Sequence, residues 1–525
     1  MKKTVFALIL LCCSLATADT KVIRLLDGEK LWGGCVTDGR AMPFGKLDFS
    51  RDLYGSTRGN QAQPLLISDK GRYVWCEEPF KFSIEGKTLT VESREGDIRT
   101  GLQGDSLRKA FLYVSEAYFP SNGKIPDERL FTRPQYNTWI ELIYDQREDR
   151  IRKYAQDILG NGFPAGVLMI DDNWQEDYGV WEFHPGRFSD PRGMMKSLHE
   201  QGFQVMLWIC PYFSPDCETF RLLRKKGYFL KDKRGGTYMQ RWWNGYSASL
   251  DLTNPRAVTY FQERLAYLVE EYGVDGFKLD AGDASAYHDE NIMAAQAISP
   301  NAFSELWAKL GLPFELNEYR ACWKLAGQPL AQRLRDKGHN WQDLQQLIPD
   351  ALALGLMGYA YACPDMIGGG EYSYFYNNPD KALDQELIVR SAQCSALMPM
   401  LQFSVAPWRV LSKANMTICR DMARLHEAMG QEILSLARAS SESGEPMVRH
   451  LEYAYPHQGY AEIKDQFLLG DSLLVAPVLN KGARKRTVVF PTGRWKGDDG
   501  SIVLGPCTQE IKVPLARLPH YRLLK

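Results

Sequence analysis

The sequence predicts an α/β protein: a (β/α)8 barrel carrying an N-terminal β-sandwich domain and a C-terminal β-domain. Three observations lead there. Residues 20 to about 128 alternate apolar and polar side chains between Gly, Asp and Pro turns, with no helical period. From about residue 130 the rhythm becomes strand, helix, strand, helix, in roughly eight units, which fits a closed barrel better than a doubly wound sheet. After Gly444 the two-residue alternation returns. The resulting division is 1–18 signal peptide, 19–128 β-sandwich, 129–440 barrel and 441–525 C-terminal β-domain.

At 525 residues the chain is too long for one ordinary core. Its 63 basic and 64 acidic residues nearly cancel, so nothing argues for a nucleic acid partner or an acidic membrane surface. Lys2-Lys3, the apolar run Val5 to Cys13 and Ala16-Thr17-Ala18 have the three parts of a secretory signal. The expectation is export to the periplasm or medium, with cleavage after Ala18. That run is too short to span a bilayer, and no later stretch reaches eighteen apolar residues, so no membrane span is expected. Nine cysteines remain after cleavage; Cys210 and Cys217 are the one local pair worth testing for a disulfide. There is no CxxC or HExxH, and no metal or cofactor is expected. The sequence leaves oligomeric state open.

In order along the chain, Arg72–Trp75, Phe80–Ile84 and Thr88–Val91 read as strands, and 109–118 as a possible last strand of the first domain. Next come a strand over 138–144, a helix over 147–159, the strand Val167–Ile170 ending at Asp171-Asp172, a helix over 193–199 and a strand over 203–209. Asn254-Pro255 starts a helix whose stripe of Val258, Phe261, Leu265, Leu268 and Val269 stops at Gly273, suited to the left-handed position after a helix. Gly276 to Leu279 is a buried strand with Lys278 in its midst and Asp280 at its carboxyl end. Strands over 314–317 and 359–362 follow, with helices over 344–354, broken at Pro349, and 386–398. Five short strands are expected in the C-terminal domain, the first over 448–454. Gly160-Asn161-Gly162 is not a dinucleotide loop, because it follows a helix and precedes a strand.

In a barrel of parallel strands the carboxyl ends open on one face, where ligands bind. Collected there are Asp171, Asp172, Asp280, Asp283, Glu318, Arg320 and Asp365, flanked by Trp174, Trp208 and Trp243. Two chemistries fit: oxygen ligation of a divalent metal, or capture of a polar neutral substrate such as a sugar. Carboxylates accept hydroxyl hydrogen bonds, and aromatic faces cover the C–H face of a ring. Glycosidic cleavage needs two carboxyl groups, and spacing alone does not reveal which two.

Five features across residues 65 to 480 resemble glycoside hydrolase family 31, which holds retaining α-glucosidases, α-xylosidases and some α-galactosidases. They are Ile170-Asp171-Asp172-Asn173-Trp174; Trp242-Trp243-Asn244-Gly245 followed by Leu250 to Pro255; Phe277 to Asp283; Arg320 sixteen residues before Asp336 with Trp341 five after it; and Cys363-Pro364-Asp365-Met366-Ile367-Gly368-Gly369. The resemblance implies Asp280 as nucleophile, Asp336 as acid and base, and Asp171 and Arg320 as sugar-binding residues, with Trp243 lining the pocket. Lys278 points to the same side of its strand as Asp280 and helps keep it ionised. Asp172 bonds either substrate or backbone. Two departures stand out. Arg333 to Trp341 replaces the usual Trp–x–Gly–Asp–Asn, and Ser404 stands where α-glucosidases carry a sugar-contacting His. Met400 to Arg409 resembles instead the branch containing bacterial α-galactosidases. An oligosaccharide or glycoconjugate carrying a terminal α-galactoside is therefore the expected substrate, with Ser404 among its contacts. Among the remaining polar groups, Trp208 is expected to fill the barrel, Asp283 to cap the following turn and His339 to sit solvated at a helix start.

Overall fold

A computed structural model describes residues 18–376 and 383–524. The expected signal segment lies, except for Ala18, outside the described residues. Eight strands form the barrel: β1 (Gln135–Asn137), β2 (Val167–Ile170), β3 (Gln204–Ile209), β4 (Gly276–Leu279), β5 (Leu316–Tyr319), β6 (Gln332–Arg333), β7 (Ala362–Cys363) and β8 (Gln402–Phe403). They pair in parallel in the order β7-β6-β5-β4-β3-β2-β1-β8, and a bridge between Met366 and Gln402 links the two ends of that sheet. The register sets the site. Leu279 pairs with both Ile209 and Tyr319, so Asp280 and Arg320 leave their strands at the same level.

Strands β2 and β3 are apolar because both faces of a barrel wall are covered. Strands β1, β6 and β8 break that rule. Gln135, Asn137, Gln332, Arg333 and Gln402 are all essentially inaccessible. Gln402 Nε2 donates to Gln135 Oε1 at 3.0 Å and to Glu318 Oε2 at 2.6 Å, so part of the barrel interior is hydrogen-bonded rather than oily.

Several expected elements change. The strand placed at 138–144 is Gln135–Asn137, followed by a helical turn at Trp139–Leu142; Asn137 Oδ1 accepts the Trp139 N–H at 2.8 Å and turns the chain. Residues 107–118 are a helix, Leu107–Tyr118, capped by Ser106 and burying Leu107, Ala110, Phe111 and Val114 at helical spacing. The helix Trp341–Leu356 continues through Pro349, its lost hydrogen bond outweighed by burial of the run Leu347–Leu356. The segment 448–454 divides into the strand Val448–Arg449 and the turn of helix Leu451–Ala454. The helix Lys413–Ser443, packed on Gln385–Ala396, was not singled out from sequence.

The N-terminal domain is two antiparallel sheets, one of Asp19–Arg24, Thr88–Ser93, Phe80–Glu85 and Phe49–Asp52, the other centred on Gln61–Ser68. The barrel contributes Cys322–Trp323 to the second, in parallel with Gln61-Ala62. A three-stranded excursion after β3 presents Trp243 and Asn244 at the tip of the hairpin between Met239–Trp242 and Gly245–Ser249. Six antiparallel strands make the C-terminal sheet. All nine cysteines from Cys35 to Cys507 are free thiols. Cys217 forms no disulfide with Cys210; its sulfur accepts the Phe220 N–H at 3.2 Å, capping the helix Glu218–Lys226. Among the described residues, no helix is long and apolar enough to cross a membrane.

Candidate active site

The carboxyl ends of the strands open into a cavity of about 370 Å³. Its wall includes Asp171, Asp172, Trp243, Lys278, Asp280, Arg320 and Asp336, which come from five widely separated stretches of chain.

Asp280 sits one residue beyond β4. Its Oδ1 accepts Arg320 Nε at 2.8 Å and its own neighbour Ala281 N–H at 2.8 Å, and its Oδ2 accepts Trp208 Nε1 at 3.0 Å. Burial would raise this carboxyl, but Arg320, then Lys278 and Arg333, with the Trp208 hydrogen bond, hold it well below the usual carboxylate range. Asp280 is therefore ionised at any physiological pH. Arg320 is itself clamped. Its Nη2 and Nη1 donate to Asp283 Oδ2 and Oδ1 at 2.7 and 3.1 Å, and Nη1 also reaches the Gly59 carbonyl at 2.9 Å. Asp283 does not cap the turn after it; its side chain is spent on Arg320. Trp208 is more than filling, because its N–H fixes one oxygen of Asp280.

Lys278 Nζ donates to Asp171 Oδ2 at 2.7 Å, and both side chains are buried. Removing one partner of such a pair costs about 3–5 kcal/mol, because the other charge is stranded. Asp171 Oδ1 also accepts the Asp172 N–H. Asp172 takes the Tyr178 hydroxyl at 2.8 Å and Asn244 Nδ2 at 3.0 Å. Burial, opposed by Tyr178 and reinforced by the charge of Asp171, pushes its carboxyl up to about 7. Its bonds run to side chains, tying the Trp243-bearing hairpin to the barrel.

Asp336 differs from these enclosed carboxyls: its side chain is 36% exposed, in the cavity. Its Oδ1 accepts Arg333 Nη1 at 2.6 Å. Arg333, where the family's usual segment has Trp, is fully buried, and also donates from Nε to Glu318 Oε1 at 3.1 Å and from Nη1 to Asp365 Oδ1 at 2.7 Å. Among the described residues no group of three or more His, Cys, Asp or Glu converges as metal ligands. Apart from Asp172, the carboxyls described pair with Lys278, Arg320 or Arg333.

Ser404 is not brought to the cavity. It is fully buried beyond β8, its hydroxyl accepts the Ile140 N–H at 2.7 Å, and its carbonyl accepts the Tyr154 hydroxyl. A small side chain there closes the barrel wall onto Trp139–Leu142 and leaves no group for substrate. His339 is likewise buried, with Nδ1 against the Gly368 carbonyl at 2.7 Å and Nε2 accepting the Asp384 N–H at 3.0 Å.

Residues missed from sequence complete the wall: Arg58, Gly59, Trp139, Tyr144, Arg335, Glu371 and Tyr372. Arg58 and Gly59 belong to the N-terminal domain, and no local pattern marks them. Asn60 and Gln61 beside them donate to the carbonyls of both Arg320 and Arg333 at 3.0–3.1 Å, and Asn60 Oδ1 accepts the Arg335 N–H at 2.9 Å. The first domain thus pins the two loops that carry Arg320 and Asp336. Arg335 was within reach of sequence reasoning, since it adjoins Asp336.

Fold and cavity together define a barrel protein with an acidic, aromatic-edged pocket at its strand ends. Residues 133–325 match a model of the glycosyl hydrolases family 31 TIM-barrel domain, and residues 444–521 match that family's C-terminal domain. The chain belongs to glycoside hydrolase family 31. It is 31% identical over 415 residues to the myogenesis-regulating glycosidase of Mus musculus, covering 76% of this chain and 57% of that protein. It is 26% identical to alpha-glucosidase 2 of Bacillus thermoamyloliquefaciens, over 72% of this chain and 50% of that one. The chain therefore spans between half and three-fifths of these two relatives. A family 31 dextranase from Flavobacterium johnsoniae, solved with glucose, superposes with a TM-score of 0.87 at 19% identity, over 97% of this chain and 66% of that one. At that identity the likeness shows the fold.

Proposed function

We propose that this protein is a retaining, exo-acting α-glycosidase that removes terminal α-linked sugars, with α-galactosides preferred. The observation that carries the reading is the contrast between two carboxyls of one cavity. Asp280 is fixed and held ionised by Arg320 and Trp208, while Asp336 is open to a ligand. Double displacement needs that pair, with carboxyls about 5–5.5 Å apart.

Asp280 attacks the anomeric carbon, forming the glycosyl-enzyme bond as the bond to the leaving oxygen breaks. Asp336 donates its proton to that oxygen, then takes a proton from the water that hydrolyses the intermediate. The Asp280 oxygen bonded to Trp208 is held in place, which limits reorganisation during attack. Lys278 offsets charge beneath the nucleophile, and Asp171 and Arg320 orient hydroxyls. Trp243, half exposed at its hairpin tip, offers an apolar face to the ring.

The α-galactoside preference rests on the Met400–Arg409 resemblance; the similarity to an α-glucosidase favours glucosides instead, and that to an α-xylosidase favours xylosides. Export by the N-terminal segment is part of the same proposal. A panel of nitrophenyl α-glycosides with the purified protein separates the readings. Fastest turnover of the galactoside is expected, whereas hydrolysis of only the glucoside or xyloside reassigns the sugar. Hydrolysis of none leaves a non-catalytic sugar-binding relative.

A further inference from the structure

One nitrogen of Arg333 serves two carboxyls. Its Nη1 donates to Asp336 Oδ1 at 2.6 Å and to Asp365 Oδ1 at 2.7 Å, while a carbonyl, that of Leu334, lies at 3.1 Å. The guanidinium's remaining ion pair, from Nε, goes to Glu318. Three carboxyls thus share one cation inside a barrel where unpaired charge is costly. Asp365 is held in place by the Lys337 N–H on Oδ2 at 2.8 Å, and its backbone takes φ +89°, a conformation that strains any residue but glycine. The double-displacement reading leaves this residue without a task.

We propose that Asp365 is a positioning residue for the acid/base carboxyl: it competes with Asp336 for the same nitrogen of Arg333, so that the two carboxyls share one cation and one proton as a unit. The inference rests on Asp336 being the acid. Burial, opposed by Arg333 and reinforced by the charge of Asp336, pushes the Asp365 carboxyl up to about 7. The charged groups around the unit are Glu318 on β5, Asp280 and Lys278 at β4, Arg335 and Glu371 on the cavity wall beside Asp336, and Lys337, whose ammonium is paired with Asp350 at 2.7 Å. Gln402, from β8, is neutral and bonded to Glu318.

The arrangement reconciles two demands. An acid must give its proton to the leaving oxygen, and the carboxylate left behind needs a cation beside it. Arg333 Nη1 stands at Asp336 but is shared with the second carboxyl of Asp365. When the Asp336 proton passes to the leaving oxygen, Arg333 already stands against the new carboxylate. In the second half-reaction Asp336 recovers its proton from water.

The test compares wild type with Asp365→Asn and Arg333→Gln, using phenyl and 2,4-dinitrophenyl glycosides of the sugar the panel selects. Removing the competing carboxyl leaves Arg333 to Asp336 alone and should move the alkaline limb of kcat/KM for the phenyl glycoside down by about one pH unit. Removing the cation should move it up by a similar amount. The dinitrophenyl glycoside, which needs no acid, should show neither shift. A second arm is independent of turnover. A carboxyl whose pKa is raised on folding contributes stability that is lost as pH rises through the folded value. The melting temperature of wild type should therefore fall relative to Asp365→Asn as pH rises from about 4 to about 7. Asp365→Ser serves in both arms if the amide variant does not fold. Limbs that do not move, or move in the same direction in both variants, overturn the proposal, as do parallel melting profiles. If no glycoside is hydrolysed the glycosidase reading fails, while the melting comparison still decides the shared proton.

Discussion

Asp280→Asn is expected to lower kcat/KM on every substrate by a factor on the order of 10⁴, with the protein still folded. The amide is close in size and can still accept hydrogen bonds through its oxygen, but it cannot attack an anomeric carbon. Arg320 retains both bonds to Asp283, and Lys278 retains Asp171, so neither cation is stranded. Kinetics on the best nitrophenyl glycoside, with circular dichroism to confirm the fold, check this. Loss of activity confined to one leaving group would assign Asp280 to proton transfer instead, and unchanged function would point to sugar binding without chemistry.

Asp336→Asn should separate substrates that Asp280→Asn does not. With a phenyl leaving group, which needs protonation, the loss should be about 10²–10⁴-fold; with 2,4-dinitrophenyl the first step should fall less than about tenfold. The second step, deprived of its base, then becomes limiting, and a burst of dinitrophenol equal to the enzyme concentration should precede slow turnover. Added azide, a nucleophile that needs no base, should speed that slow phase. Pre-steady-state absorbance with the dinitrophenyl glycoside measures the first step, the burst and the slow phase, and steady-state rates give the phenyl loss. Equal losses on both leaving groups would remove Asp336 from acid/base chemistry.

The legible and illegible parts of this protein divide along physical lines. Strands β2, β3 and β4 could be read because they are largely apolar runs, two of them followed by a carboxylate; β5, expected over 314–317, lies at Leu316–Tyr319 because Asn317 and Glu318 are polar yet buried. Strands β1, β6 and β8 could not, because Gln135, Gln332, Arg333 and Gln402 lie inside the barrel, where hydrogen bonding replaces apolar burial. Alternation in Leu107–Tyr118 is overridden by the helical spacing of Leu107, Ala110, Phe111 and Val114, which pack as one face. Within the site, strand-end residues on β2, β4 and β5 were placed by topology alone. Asp336 needed a resemblance, since its loop carries no local signature. Ser404 was misplaced because residue type at a family position says nothing about which way a buried hydroxyl turns; here it turns to Ile140. Arg58 and Gly59 were invisible because only the docking of one domain on another brings them to the cavity.

In double displacement Asp280 becomes covalently bonded to the sugar. Incubation with a 2-fluoro or 5-fluoro glycosyl donor of the preferred sugar, followed by proteolysis and mass spectrometry of the labelled peptide, reads that bond directly. The expected result is one sugar per protein, attached at Asp280 and absent from Asp280→Asn. Attachment at any other side chain would contradict the mechanism.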